Sequence, residues 1–215
     1  MENVFFKPWV GKDYDSGGIF GKKILVLGES HYCGGCNNCG NIANSGDCSQ
    51  FTTEKCIKPY LNGESGRWGA TFKKFEQTMV TGDIDNNLRK SIWNSIIFYN
   101  YLQVSMHTAR EGGIWEDYRQ SDRGFFEVLE KYRPELIIAW GVSRLYYNMP
   151  GGDRWIAGED KVVENYSVRN DYYKLSDGSK VRIIWIYHPS TSFTSEWWRK
   201  VVLPEIDQFV QSLKQ

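Results

Sequence analysis

The chain has 215 residues, of which 41% are hydrophobic and 15% aromatic, and this composition predicts one folded domain and excludes a disordered chain. Its 26 basic and 26 acidic residues give a net charge of zero, which argues against strong nonspecific binding to nucleic acid but allows a local basic groove. No apolar run approaches the roughly 20 residues of a membrane span, and residues 1–9 lack a signal-peptide pattern, so we expect a cytoplasmic protein without a membrane partner.

The first half of the chain predicts one buried strand, a long loop and two helices. After an irregular lead-in over residues 1–22, the apolar run at residues 23–28 ends in glycine, as buried parallel strands often do. Residues 29–66 are rich in Gly, Asn, Ser and Cys and show no helical or strand period, which predicts a loop. Apolar side chains then recur at helical spacing over residues 68–79 and again over residues 84–96.

The second half predicts further strands between helices. Residues 96–103 are β-prone, although a tight loop after the preceding helix fits them as well. The next helix is expected to end before Pro134, because proline disfavours helix at the residue before it. Buried strands are predicted at residues 136–141 and 181–187, and an amphipathic helix is predicted from residue 195 onwards.

Strands that alternate with helices predict an α/β fold with a three-layer, doubly wound and mostly parallel sheet. We expect a single domain over residues 1–215, with a Cys-rich loop at about residues 29–66. Ligands of such folds bind beyond the carboxyl ends of the strands. Two polar segments directly follow predicted strands and are therefore candidate sites. They are Gly28-Glu29-Ser30-His31-Tyr32 and His188-Pro189-Ser190.

Each segment has the chemistry of a ligand site and also a plainer interpretation. A glycine such as Gly28 lets the chain turn sharply and lets a ligand approach the backbone. A neutral histidine such as His188 can donate a hydrogen bond to an oxygen that gains negative charge, and Pro189 restricts the backbone that carries it. The alternatives are a polar loop at a strand end and a histidine that packs in the core.

Together the two segments resemble the paired motifs of the uracil-DNA glycosylase superfamily. That signature is a strand with a Gly-Gln-Asp-Pro-Tyr-His-type loop and, far downstream, a strand followed by His-Pro-Ser. The Gly-Glu start of the first segment is similar to the iron–sulfur branch of the superfamily, and the implied uracil-DNA glycosylase-like fold spans roughly residues 20–215. Ser30 stands where the first motif carries an activating Asp, and Glu29 is the carboxylate next to it.

The resemblance implies an N-glycosidic hydrolase that takes a damaged base, uracil or a related one, out of DNA and cleaves its bond to the sugar. In that reaction negative charge develops on the base, and His188 would donate a hydrogen bond to the base oxygen. Glu29 and Ser30 complete the predicted catalytic set. The implied partner is DNA or another ligand with a nucleobase, and no protein partner is predicted.

Five further residues are predicted to bind the substrate. Gly28 would let the base approach the backbone, and Tyr32 matches a tyrosine that resembles a steric gate beside the base. Asn100 is a candidate for reading the base edge, because its amide offers both a donor and an acceptor. Phe98 is a candidate for stacking on the base, with core packing as the alternative. Ser190 begins a loop that resembles the element entering the DNA duplex.

Five cysteines form a cluster that predicts a metal site. Two-residue spacers between the first three let their thiolates face one centre, and four thiolates suit zinc or an iron–sulfur cluster. We expect a structural metal that holds the long loop, with free buried thiols as the alternative. His31 is a possible alternate ligand. The predicted ligands are Cys33, Cys36, Cys39, Cys48 and Cys56.

Two other functions remain open at this point. Gly-x-Ser after a strand can begin a serine esterase, with Ser30 as nucleophile, Asn100 in the oxyanion hole and His188 as base. That pattern has an Asp three residues before the histidine, where this chain has Trp185. A binding module that recognises a base or nucleotide without cutting it also fits the serine at the acid position and the zero net charge.

Overall fold

The computed structural model describes most of the chain. In the range 53–106, side chains are described from residue 56 onwards. No helix among the described residues is both long and apolar enough to cross a membrane. The described residues are 1–32, 53–106, 108, 111–190 and 192–206.

The described elements alternate between strands and helices along the chain. The strands are β1 (Trp9–Val10), β2 (Ile24–Gly28), β3 (His31–Tyr32), β4 (Ile96–Asn100), β5 (Ser105–Met106), β6 (Leu136–Trp140), β7 (Trp155–Ala157), β8 (Lys161–Val163), β9 (Tyr166–Val168), β10 (Asn170–Lys174) and β11 (Lys180–Ile186). The helices are α1 (Thr53–Leu61), α2 (Gly69–Met79), α3 (Asn86–Asn94), α4 (Trp115–Tyr132), α5 (Arg144–Asn148) and α6 (Ser195–Val202). This alternation confirms the predicted α/β class.

Seven strands form the central sheet in the order β1-β4-β2-β6-β11-β10-β7. The four inner strands β4, β2, β6 and β11 are parallel, and Val26 of β2 lies opposite Phe98 of β4 and Ile138 of β6. β1 and β10 are antiparallel to their neighbours, so five of the seven strands run in one direction. The sheet is therefore mostly parallel, as the sequence predicts, with antiparallel pairing confined to its edges.

Alternate residues of the inner strands supply two cores, one on each face of the sheet. Ile24 and Val26 of β2 belong to the core that includes side chains of α1, α2, α3 and α6. Leu25 and Leu27 belong to the core that includes side chains of α4 and α5. Every residue of β2 is buried, which explains its continuous apolar sequence, because a central parallel strand is covered on both sides.

A helix occupies part of the segment that the sequence predicts as one irregular loop. α1 buries Ile57 and Tyr60, which are three residues apart and lie on one face. Pro59 lies inside this helix, and lysines separate its few apolar residues, so the local pattern lacks a clear helical signal. The prediction of loop structure is therefore wrong for residues 53–61, and residues 33–52 lie outside the described part.

Strand pairing determines the structure of two other segments whose local sequence pattern gives only a weak signal. Residues 96–103 contain strand β4, which pairs with β2 on one side and with β1 on the other, so the alternative of a tight loop is excluded for residues 96–100. β1 itself lies in the predicted irregular lead-in and has only two residues. The predicted terminal helix is present as α6 over residues 195–202. The prediction is wrong for residues 203–206, because a short 3₁₀ turn with Pro204 follows α6 and Ile206 is extended, and residues 207–215 lie outside the described part.

β3 buries His31 next to the N-terminal segment. The side chain is 3% exposed, and its ring centroid lies 4.8 Å from that of Phe6. Its Nε2 atom has no hydrogen-bond partner among the described residues. Burial lowers the pKa of His31 to about 3, so the imidazole is neutral in the folded protein at neutral pH.

We predict that His31 makes the fold sensitive to acid. In the unfolded chain a histidine binds a proton near its ordinary pKa of about 6.5, whereas His31 in the folded protein stays neutral down to a pH of about 3. Its contribution to stability is therefore complete above the unfolded pKa. As the pH falls below that value, the free energy of unfolding should decrease by about 1.4 kcal/mol per pH unit from this residue.

Urea unfolding at several pH values checks this expectation. The variant His31→Phe keeps a ring against Phe6 but cannot bind a proton. Between about pH 6 and pH 4 its unfolding free energy should depend on pH less steeply than that of the wild type, by about one proton. Equal slopes for the two proteins would show that His31 is not the group responsible.

Candidate functional site

A cavity of about 600 Å³ lies at the carboxyl ends of the parallel strands. β2 lies between β4 and β6 in the sheet, so the chain reverses its direction of winding there, at the position where open α/β sheets bind ligands. The structure brings seven of the eight predicted catalytic and substrate-binding residues to this cavity. They are Gly28, Glu29, Ser30, Tyr32, Phe98, Asn100 and His188.

Backbone hydrogen bonds hold the first motif beside the end of β4. The N–H groups of Tyr101 and Leu102 donate to the carbonyl oxygens of Gly28 and Glu29 over 2.9 and 2.8 Å. These bonds continue the pairing of β2 with β4 beyond the last residues of both strands. The start of the first motif is therefore fixed relative to Asn100, although the two segments are about 70 residues apart in the sequence.

A side chain at position 28 would overlap the amide of Asn100 as it is placed in the structure. A Cβ atom at position 28 would lie 2.2 Å from Oδ1 of Asn100, which is much closer than two non-bonded atoms can approach. Asn100 is 7% exposed and lines the cavity. The sequence predicts that a ligand approaches this glycine, but the group that approaches it most closely in the structure is the amide of Asn100.

Ser190 fixes the protonation of His188. The backbone N–H of Ser190 donates to Nδ1 of His188 over 3.2 Å, and the Ser190 hydroxyl lies 2.7 Å from the same nitrogen. A backbone N–H can only donate, so Nδ1 is an acceptor and the proton of the neutral ring is on Nε2. Burial lowers the pKa of His188, against the opposing effect of the Glu29 carboxylate, and this favours the neutral ring.

The carboxylate of Glu29 is held by two residues that the sequence analysis did not identify. Arg144 donates from Nε and Nη2 to the two carboxylate oxygens over 2.6 and 2.7 Å, and the hydroxyl of Tyr118 donates to Oε1. Such a two-pronged pair leaves little of the carboxylate free to act as a base. Arg144 follows the end of β6 by only four residues, and proximity to a strand end was the available signal for it.

Aromatic side chains form the apolar walls of the cavity. Phe98 is buried in the core and also lines the cavity. Its position is therefore compatible with core packing and with a surface on which a base could stack. Its ring centroid lies 5.1 Å from that of Trp140 and 5.6 Å from that of Phe72. Trp68, at the start of α2, is 43% exposed and also lines the cavity. The sequence predicts Trp68 and Phe72 as apolar positions of a helix, and helical spacing cannot distinguish a cavity wall from core.

A basic groove adjoins the cavity and shares part of its lining. Its volume is about 1010 Å³, and it is lined by Arg67, Lys74 and Arg144. The eighth predicted residue, Ser190, lies in this groove. Glu29 is the acidic residue among its lining, and Arg144 pairs with it. Because Arg144 and Glu29 offset each other, the excess positive charge of this groove comes from Arg67 and Lys74.

Cys56 is the one predicted cysteine ligand that lies within the described ranges. It is in α1, half-buried against the core, where it is a free thiol lining the cavity. Burial raises the pKa of this thiol. Within the described ranges, no group of three or more His, Cys, Asp or Glu side chains is placed so that it could hold a metal ion. The predicted ligands Cys33, Cys36, Cys39 and Cys48 lie outside those ranges.

Comparisons with known proteins assign no family to the chain. It matches no protein-family model, and no curated protein matches its sequence. The function proposed below rests on the contacts around the cavity and on the two motifs.

We predict that Gly28→Ala destabilises the protein through Asn100. The added methyl group would overlap Oδ1 of Asn100, and overpacking of this kind costs about 1–3 kcal/mol of folding free energy. In an Asn100→Ala background the same change should cost much less, because the obstructing atom is gone. Urea unfolding of the two single variants and the double variant measures this coupling. Strictly additive effects would mean that the contact does not determine the choice of glycine.

Proposed function

We propose that this chain is a DNA glycosylase-like protein of the uracil-DNA glycosylase type. It would bind a damaged base extruded from DNA, uracil or a related base, and hydrolyse the N-glycosidic bond. The observation that carries the proposal is the meeting of both motifs at one cavity, which His188 lines together with Gly28 and Asn100.

The chemistry requires a group that stabilises negative charge on the leaving base. When the N-glycosidic bond breaks, its electron pair stays with the base and the sugar carbon becomes positive. Water then adds to the sugar carbon, and the proton it releases balances the charge of the base. A neutral His188 suits the first step, because its Nε2–H can donate to a base oxygen as that oxygen becomes negative.

Recognition of the base would combine an amide with aromatic walls. Asn100 can offer a donor and an acceptor to the base edge, and its amide lies beside Gly28 in the lining of the cavity. Phe98 and Trp140 supply flat apolar surface of the kind on which bases stack. Tyr32 is half-exposed and also lines the cavity, as expected of a gate.

The basic groove supports DNA as the ligand. Arg67 and Lys74 can attract phosphates next to an extruded nucleotide, and such contacts would make binding weaken as the salt concentration rises. Arg144 lines this groove and also donates to Glu29. A phosphate bound by Arg144 would therefore influence the position of the first motif through that contact. The zero net charge of the chain is compatible with this local site.

A second candidate function is a module that binds a base without cutting it. Two observations favour it: Ser30 replaces the acid of the motif, and the carboxylate of Glu29 is engaged by Arg144 and Tyr118. Nothing comparable favours the serine esterase. Nδ1 of His188 accepts from Ser190, where an esterase would have a carboxylate, and the indole of Trp185 donates to Asp171.

A structural metal remains part of the proposal for the cysteines near the first motif. Cys33, Cys36, Cys39 and Cys48 would supply the four thiolates for zinc or an iron–sulfur cluster. Cys56 is the fifth predicted ligand, and it lies in α1 as a free thiol. Elemental analysis of the purified protein should find one zinc or cluster that is lost in Cys36→Ser, and the metal content of Cys56→Ser shows whether the fifth cysteine is also a ligand.

Cleavage of modified oligonucleotides tests the proposed reaction. We expect specific abasic sites, detected as strand breaks after alkali, in oligonucleotides that contain uracil or hypoxanthine. Replacement of His188 by Asn should slow cleavage by about 10²–10³-fold, the typical loss on removing one such donor. The melting temperature of the variant controls for folding.

The two candidate functions give different results in the same assay. Tight binding to the modified oligonucleotide without strand breaks would support the binding module and exclude the glycosylase. Cleavage that is unaffected by the His188 variant would show that this residue does not stabilise the leaving base. Equal affinity for modified and unmodified DNA would contradict both candidates.

A further inference from the structure

The size of the cavity exceeds what one six-membered ring needs. Cavities of about 150 Å³ in protein cores already accept benzene, whereas this cavity has about 600 Å³. A pyrimidine such as uracil would therefore leave most of the space to water. Ligand sites with good affinity cover most of the surface of their ligand, so the volume favours a larger base.

The extra space is bounded by apolar side chains from the helices. On the sheet side, the cavity is lined by polar groups of the strand ends, including Asn100 and His188. The helix side is lined by Cys56 of α1, by Trp68 at the start of α2 and by Phe72 within it. A ligand that fills both sides needs polar edge groups on one part and an unsubstituted flat surface on the other.

We propose that the base bound here is bicyclic, either a purine-type base or a pyrimidine extended by a fused ring. This inference rests on the proposed function and names its substrate class. One ring carries the oxygen and the edge groups that His188 and Asn100 contact. The second ring lies among Cys56, Phe72 and Trp68, where it replaces water with apolar contact.

Phe72 fixes the position of this helix-side wall. Its ring centroid lies 5.6 Å from that of Phe98 and 5.5 Å from that of Trp68, both at steep angles, so the three rings support one another. Phe72 is buried, and a wall of this kind cannot close onto a smaller base without repacking of the core. The space beside it is therefore bounded on the Phe72 side by a ring held in the core.

The test compares three oligonucleotides in which the central base is uracil, hypoxanthine or ethenoadenine, together with an unmodified control. Dissociation constants are measured by fluorescence anisotropy with the full-length protein. Two variants reduce the space from the helix side, Cys56→Phe and Thr71→Phe, since both residues line the cavity. Cys56→Ser and Thr71→Ser are matched controls that leave the space open, and melting temperatures confirm that each variant is folded.

We expect the wild type and both serine variants to prefer a bicyclic base over uracil by at least about tenfold, the lower end of the discrimination that an apolar pocket gives. Each phenylalanine variant should lose most of this preference, whatever its absolute affinity. Two phenylalanine variants are used so that the failure of one to fold leaves a second comparison. Equal or tighter binding of uracil by the wild type would overturn the inference but leave the proposed function intact. Equal binding of all four oligonucleotides would instead overturn the proposed function and the inference with it.

Discussion

The parallel pairing of β2 with β4 on one side and β6 on the other determines where every group of the site lies. In this register the carboxyl ends of the inner strands reach the same edge of the sheet. The first motif leaves β2, Asn100 ends β4, and His188 follows β11 by two residues. Groups that are about 160 residues apart in the chain therefore line one cavity, and a slip of one residue would turn their side chains to the opposite face.

Within this frame, hydrogen bonds assign different roles to the polar residues. The backbone N–H of Ser190 donates to Nδ1 of His188, so Nε2 is the ring nitrogen that can donate to a ligand. Arg144 and Tyr118 donate hydrogen bonds to the carboxylate of Glu29. Glu29 therefore positions Arg144 and is not free to act as a base. These contacts suit the proposed donation from Nε2 of His188 to a negative leaving group, and they place Ser190 at Nδ1, where a serine esterase would have a carboxylate.

The sequence was most informative where a pattern repeats over several residues. The apolar strands that end at Gly28 and Trp140, and the long helix that ends before Pro134, follow from local composition, because burial on both faces and proline each leave a clear signal. α1 and β1 could not be predicted. Their stability comes from contacts with distant parts of the chain, such as the packing of Ile57 in the core and the pairing of β1 with β4.

The same distinction applies to the site. The residues directly after strand ends were predictable, since fold topology brings strand ends together. The roles of Arg144, Tyr118 and the wall residue Trp68 were not, because they depend on the groups that each side chain contacts in the folded chain. Arg144 and Tyr118 contact the carboxylate of Glu29, and Trp68 lines the cavity. Cys56 was predicted from its sequence neighbours as a metal ligand. The packing adds what the spacing alone could not show, namely that this residue lies in α1 at the edge of the core and lines the cavity.

The protonation of His188 is the central claim, and it can be measured directly. A long-range proton–nitrogen NMR spectrum of ¹⁵N-labelled protein, assigned with His188→Asn, reports which ring nitrogen carries the proton. At neutral pH we predict a neutral ring with its proton on Nε2 and an unprotonated Nδ1, because Nδ1 accepts from the backbone of Ser190. A proton on Nδ1, or a doubly protonated ring at neutral pH, would contradict this account of the site.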